Sequence, residues 1–353
     1  MRIAQVAPLF ESVPPKRYGG TERVVSYLTE ELVRQGHQVT LFATADSRTE
    51  AELVPVVERP LRGDPNWMVH ALIELEQVLR RAEDFDVVHF HTDHLHYPLI
   101  GLTDLPMVAT MHGRLDLPGL VRLHRVFSKA AVVSISDAQR TPLPDARWVG
   151  TVHHGLPAAL FTPGDGAGGY LAFVGRISPE KRLDRALEIA RRAGLPLRVG
   201  AKVDPADRKY FEREIEPLLS GSGVEFLGEL DERQKRDLLA GAAALLFPID
   251  WPEPFGLVMI EAMACGTPVL AFRGGAVEEL VRPGVTGAIV DSVDEAVAAL
   301  PGVLQLDRSD CREEFERRFS ATRMARDYVR VYERVIGPSR RVAGWSAGAA
   351  SNA

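Results

Sequence analysis

Cysteine is nearly missing from this chain: of 353 residues, only Cys265 and Cys311 carry a thiol. Two distant cysteines make neither a disulfide framework nor a metal-ligand spacing, a pattern suited to a reducing cytoplasm. An excess of positive charge is missing too. With 42 Lys and Arg against 48 Asp and Glu, the formal net charge is −6. No nucleic-acid partner is expected, because that affinity rests on clustered cations. No run of about 18 apolar residues is present to span a bilayer. The opening MRIAQVAPLF meets Glu11 too soon for a secretory signal and reads as a first strand. After it, the glycine spacing G-x-G-x-x-G is absent, which argues against a dehydrogenase.

What is present is ordinary globular material, 46% hydrophobic and 25% charged, in a length that suggests two domains. Short β-branched runs alternate with longer amphipathic ones. The pattern predicts strands at 2–8, 38–44, 85–91, 106–112 and 131–136, with helices at 21–36 and 66–82. A Gly- and Pro-rich stretch at 156–170 reads as a linker. The alternation then restarts, with strands at 170–175, 196–200, 224–228, 243–249 and 268–272 and helices at 178–193, 206–219 and 256–265. Near-continuous apolar strands separated by helices describe parallel sheets covered on both faces. The expected organisation is an α/β domain at 1–158, a second at 165–320, a helix at 321–337 and a disordered tail at 338–353. In such sheets ligands sit outside the carboxyl ends of the strands, and the cleft between the domains is the default site.

Three motifs fall at such ends. In FVGRISPEK, Arg176 and Lys181 flank an expected helix start with Ser178 as cap; cations there make sense if an anion completes the site. In YGGTE, Gly19 and Gly20 let backbone approach a ligand, and Thr21 can cap the following helix. In EPFGLVMIEAMACG, Glu253 stands at a helix entrance and Glu261 lies inside an apolar helix. A buried carboxylate needs a partner, so Glu261 has either an internal salt bridge or a ligand. Two acids and free amides at 255–257 could grasp a polyhydroxylated ligand.

Other polar clusters are weighed against plainer readings. The Asp84-x-Asp86 pair precedes its strand, away from the ligand end, and is not read as a metal site. HFHTDHLHY follows a strand, and His91, Asp93 and His94 read as a polar acceptor-pocket lining rather than a zinc site. The basic amphipathic stretch 114–130 could make weak peripheral contact with anionic lipid, although its apolar face more often packs on its own sheet.

The Glu253-x7-Glu261 spacing together with FVGRISPEK, YGGTE and GTPVLAFRGGAVEEL resembles the retaining glycosyltransferases of family 4 over nearly the whole chain. The resemblance implies a GT-B fold, two Rossmann-like parallel-sheet domains facing each other across a cleft. The N-terminal domain would bind the acceptor and the C-terminal domain the nucleotide sugar. It also implies a metal-independent hexosyltransferase without a cofactor, using a nucleotide-diphosphate sugar, UDP favoured over GDP. The acceptor would be a saccharide, a lipid-linked glycan or a small metabolite. Arg176 and Lys181 would neutralise the departing diphosphate, and Glu253 would hold donor-sugar hydroxyls. Glu261 would accept from the ribose, and the amides of Phe255, Gly256 and Leu257 would contact sugar and phosphate. Gly19 and Gly20 would close on the phosphates, His112 would approach the reacting carbon, and the last helix would return to the first domain. One departure is His153-His154-Gly155-Leu156, where the family often has Asn-Gly-Val. A sugar-nucleotide epimerase and a catalytically silent sugar-nucleotide binder are the competing readings.

Overall fold

A computed structural model describes residues 1–221 and 223–337 of the chain. Ser222 and the expected tail at 338–353 lie outside the described residues. The chain divides into two compact units. Among the described residues, unit 1 comprises Met1–Ile135, Arg140–His153 and 321–337; unit 2 comprises Ser136–Gln139 and His154–Ser320.

Unit 1 contains β1 (Arg2–Val6), α1 (Gly20–Arg34), β2 (Gln38–Thr44), β3 (Glu52–Val57), α2 (Trp67–Arg80), β4 (Val87–Phe90), β5 (Met107–Thr110), α3 (Leu120–Val126), β6 (Val132–Ser134) and β7 (Trp148–Thr151). The strands form one parallel sheet in the order β3-β2-β1-β4-β5-β6-β7. Strands such as β4 are buried along their whole length, because helices cover both faces. The order reverses beside β1, so the crevice outside β1 and β4 is this sheet's switch point.

Unit 2 contains β8 (Leu171–Arg176), α4 (Leu183–Ala193), β9 (Leu197–Lys202), α5 (Arg208–Tyr210), α6 (Glu216–Leu219), β10 (Val224–Gly228), α7 (Glu232–Gly241), β11 (Ala244–Phe247), α8 (Leu257–Ala264), β12 (Val269–Phe272), α9 (Val277–Leu280), β13 (Gly287–Val290), α10 (Val293–Val303) and α11 (Arg308–Arg318). Its sheet is also parallel, in the order β10-β9-β8-β11-β12-β13, with the switch point between β8 and β11.

The last helix, α12 (Ala321–Ile336), lies in unit 1 and packs on α1 and β7. Met324, Ala325, Tyr328, Val331 and Tyr332 form its buried stripe, the spacing that a one-sided helix requires.

Several local expectations need correction. The helix expected at 178–193 is interrupted: Pro179–Lys181 form a single 3-10 turn, and Arg182 turns left-handed at φ 51° before α4 begins. Thr21 does not cap α1; Gly19 holds the cap position and no side chain caps the helix. The segment 205–219 is a broken series of turns, with α5 and α6 separated by a π turn. Edge strands β3 and β7 and the short β13 are additions to the expected pattern: Pro55 interrupts the apolar residues of the partly buried β3, and β7 and β13 are four-residue strands. The boundary between units falls after His153, upstream of 158. His154 packs edge-on to Phe255 at 4.7 Å, and the Leu156 amide donates to the Phe319 carbonyl at 2.8 Å, which ties 154–156 into unit 2.

Candidate active site

In unit 2, the loops after β8 and β11 meet at the switch point. Arg176, the last residue of β8, donates to Glu180 at 2.6 Å, with Asp207 at 3.5 Å and Asp204 at 3.9 Å. The Asp250 amide donates to the Glu180 carbonyl at 2.9 Å, joining the two loops. Lys181 Nζ donates to the Glu253 carboxylate and sits over the rings of Trp251 and Phe247, at 5.0 and 5.6 Å. The Trp251 indole N–H donates to the same Glu253 oxygen at 3.0 Å. This ammonium is thus held among aromatic faces and one carboxylate, where little water screens it.

The Glu253 backbone is held as firmly as its side chain. Its carbonyl accepts from the Ala276 amide at 2.9 Å. Gly275 (φ 57°) is packed so tightly there that a Cβ would lie 2.1 Å from the Glu253 carbonyl oxygen. Gly275→Ala must therefore displace the Glu253 loop. We expect it to lower the melting temperature by an amount equivalent to about 1–3 kcal/mol and to reduce turnover, checked by thermal denaturation and initial rates.

Gly256 (φ 85°) stands at the N-cap of α8, and no side chain caps that helix. Its first-turn amides carry the positive end of the dipole toward the Glu253 loop, a ready place for an anion. Glu261, in α8, is buried, and Lys235 Nζ from α7 donates to it. Of the two readings the sequence left open, the structure shows the internal salt bridge. Lys235 was not among the expected site residues. Burial and then the Glu261 charge push the neighbouring Cys265 thiol up to about 12, so it is inert.

In unit 1, Gly19 backs onto Pro15, where a Cβ would lie 2.8 Å from the proline's own. Buried Arg23 ties down that loop by donating to the Arg17 carbonyl at 2.6 Å. His112 follows the carboxyl end of β5, is partly exposed, and is hydrogen-bonded to His91 at 2.9 Å. Burial pushes its imidazole down to about 3. His91 does not line an open pocket as expected: it is buried, held between His112 and Gln5. Asp93 and His94 are exposed beyond it, Asp93 with a left-handed φ of 53°. His96 is buried, its ring stacked on Phe90 at 4.2 Å.

The discounted motifs also have partners. Asp86 pairs with Arg2 at 2.9 Å and Asp84 with Arg81 at 2.8 Å. Among the described residues, no group of three or more His, Cys, Asp and Glu side chains is arranged to hold a metal ion. No helix among them is long and apolar enough to cross a membrane.

Comparison with known proteins bears on the chemistry. Residues 165–318 match the family model described as Glycosyl transferases group 1, and residues 18–149 that of Glycosyltransferase Family 4. The D-inositol 3-phosphate glycosyltransferase of Mycolicibacterium smegmatis (strain ATCC 700084 / mc(2)155) is 30% identical over 343 residues, covering 78% of this chain and 76% of that protein. The chain belongs to the family 4 glycosyltransferases.

This glycosyltransferase is also 27% identical, over 97% of its length and 96% of the relative's, to the phosphatidyl-myo-inositol mannosyltransferase of the same organism. Among solved structures it is similar to AviGT4, a glycosyltransferase of avilamycin A biosynthesis, with 26% identity, a TM-score of 0.72, and coverage of 95% and 98% of the two chains. Anabaena HepE, solved with UDP-glucose, shares 18% identity and a TM-score of 0.70, covering 94% of this chain and 98% of its own. The two parallel-sheet Rossmann-like units are those of the GT-B fold. The protein is a hexosyltransferase that works with nucleotide-sugar donors.

Proposed function

We propose that this enzyme transfers a hexose from a nucleotide-diphosphate sugar to a hydroxyl, with retention of anomeric configuration and without a metal. The observation that carries the reading is the Lys181–Glu253 contact at the carboxyl ends of β8 and β11, with Glu261 buried in the adjoining helix. Lys181 and Arg176 would stabilise negative charge on the departing diphosphate, a role worth several kcal/mol in a dry site. Glu253 would hold sugar hydroxyls, Glu261 the ribose, and the amides of Phe255, Gly256 and Leu257 the sugar and phosphates. Gly19 and Gly20 would meet the phosphates and His112 the sugar. Asp93 and His94, exposed beyond β4, would meet the acceptor.

The donor favoured is a UDP-hexose, in keeping with the UDP-glucose held by HepE. The acceptor is a saccharide, a lipid-linked glycan or a small metabolite, and the names of the two mycobacterial relatives put inositol compounds first in an acceptor panel. Leu117, Val121 and Val126 are exposed beside Arg122 and Arg125, which suits weak contact with anionic lipid at a cytoplasmic membrane face.

The test is a thermal-shift panel of UDP, GDP, ADP and their common sugars, followed by product analysis with the acceptor panel. A ligand at about 100 times its Kd stabilises the native state by about 2.7 kcal/mol. Stabilisation by the uridine family, with hexose transfer to an acceptor, supports the reading. Conversion of the donor alone to an epimer, or stabilisation without any turnover, would replace it with one of the competing readings.

A further inference from the structure

Between β8 and α4 the backbone is held against its local preference. Among the described residues, Arg182 and Asp93 are the non-glycine residues with positive φ. Arg182 stands directly after Lys181, at φ 51° and ψ 51°. The local sequence favours something else. Ser178 and Pro179 suit a helix start, and no glycine follows before Gly194, so an uninterrupted helix over 178–193 is the natural expectation. A left-handed arginine costs free energy, and some other contact must hold it there.

That contact is a clamp on the Arg182 guanidinium. Its Nε and Nη2 donate to Asp184 at 2.9 and 2.8 Å, and its Nη1 donates to Asp250 at 2.7 Å. Asp250 lies in the loop after β11, three residues before Glu253. Arg185 braces it, donating to the Asp250 carboxylate and to the Ile249 carbonyl, each at 3.2 Å. The Asp250 amide in turn donates to the Glu180 carbonyl at 2.9 Å. Residues 180 and 182 are thus both tied to one residue of the neighbouring loop. Lys181 lies between them, and its ammonium meets Glu253 of that same loop. Straightening the chain at residue 182 would break these ties and turn Lys181 away from Glu253.

We propose that Arg182 is a positioning residue: tied to Asp184 and Asp250, it holds the left-handed kink that aims Lys181 at Glu253. The consequence for turnover rests on the role of Lys181 proposed above; the clamp and the kink do not.

The experiment compares Arg182→Ala with Arg182→Gly in the full-length enzyme, by donor kcat and KM and by thermal denaturation. Both variants lose the guanidinium, but only glycine takes φ 51° without strain. Arg182→Ala should relax toward a continuous helix and lower kcat by about tenfold, the factor that a left-handed residue with a Cβ costs, with donor KM changed far less. Arg182→Gly should regain most of that loss. Helix propensity alone favours alanine over glycine, so a residue that merely supports α4 would give the opposite order. That order, or equal kcat in the two variants, overturns the proposal. In a Lys181→Ala background, Arg182→Ala should cost no further turnover, and an undiminished loss there overturns action through Lys181. If Lys181→Ala itself leaves kcat unchanged, the role of Lys181 fails, and a crystal structure of Arg182→Ala still decides the clamp. Residues 179–193 in one helix uphold it; an unmoved kink overturns it. Carbon-13 Cα and Cβ shifts of Arg182 in the wild type should be those of a left-handed residue. Right-handed helical shifts overturn the proposal and need no variant to fold.

Discussion

Lys181→Ala is expected to lower kcat by about 10²–10³-fold while changing donor affinity far less, as for loss of a group that meets charge developing in the transition state. On the proposed reading, ground-state diphosphate would be met by the α8 amides and by Arg176, whereas the extra charge on the departing group would need a further cation close to it. Lys181 would be that cation: its side chain is largely buried, with Glu253, Trp251 and Phe247 around it. Arg176 stands beside Glu180, Asp204 and Asp207, so part of its charge is already offset. Removal of Lys181 also leaves Glu253 with the Trp251 indole, so Lys181→Arg serves as the control for local collapse. Steady-state kinetics beside equilibrium donor binding decide the matter. Equal losses in kcat and affinity would make Lys181 a ground-state ligand, and unchanged kcat would remove it from the mechanism.

The sheets and the acidic pair were legible because their signals are local. β4 and β11 are buried throughout; β11 reads as the unbroken apolar run ALLF, and β4, VVHF, is interrupted only by His89. Glu253 and Glu261 stand out as charges in apolar or proline-rich surroundings. The partner of Glu261 was not legible. Lys235 lies on α7 in the sequence ERQKRDLL, among Arg233 and Arg236, and only the packing of α7 against α8 distinguishes it from a solvated cation. The left-handed turn at Arg182 was likewise invisible, since nothing marks an arginine for φ 51° until Asp184 and Asp250 hold its guanidinium. Gln5 did carry a signal: it is the one polar side chain in the buried run IAQVA of the first strand. A buried amide must have its partners within the fold, and His91 and Tyr332 supply them.

The Glu261–Lys235 pair gives the second large effect, because it separates a structural acid from a nucleotide ligand. Glu261→Ala is expected to weaken binding of the nucleotide by about 10–100-fold, the worth of hydrogen bonds from ribose hydroxyls to a charged acceptor. Lys235→Met should do something different. It leaves Glu261, with a side chain only 4% exposed, without its cation, a loss of about 3–5 kcal/mol for a buried pair. Ribose hydroxyls would then supply the hydrogen bonds that Lys235 gave. Nucleotide should therefore raise the melting temperature of Lys235→Met by more than it raises that of the wild type, and hardly raise that of Glu261→Ala. If the pair only holds α7 to α8, both variants lose stability and nucleotide shifts all three proteins equally. That result would return Glu261 to the helix core and leave the ribose without its acceptor.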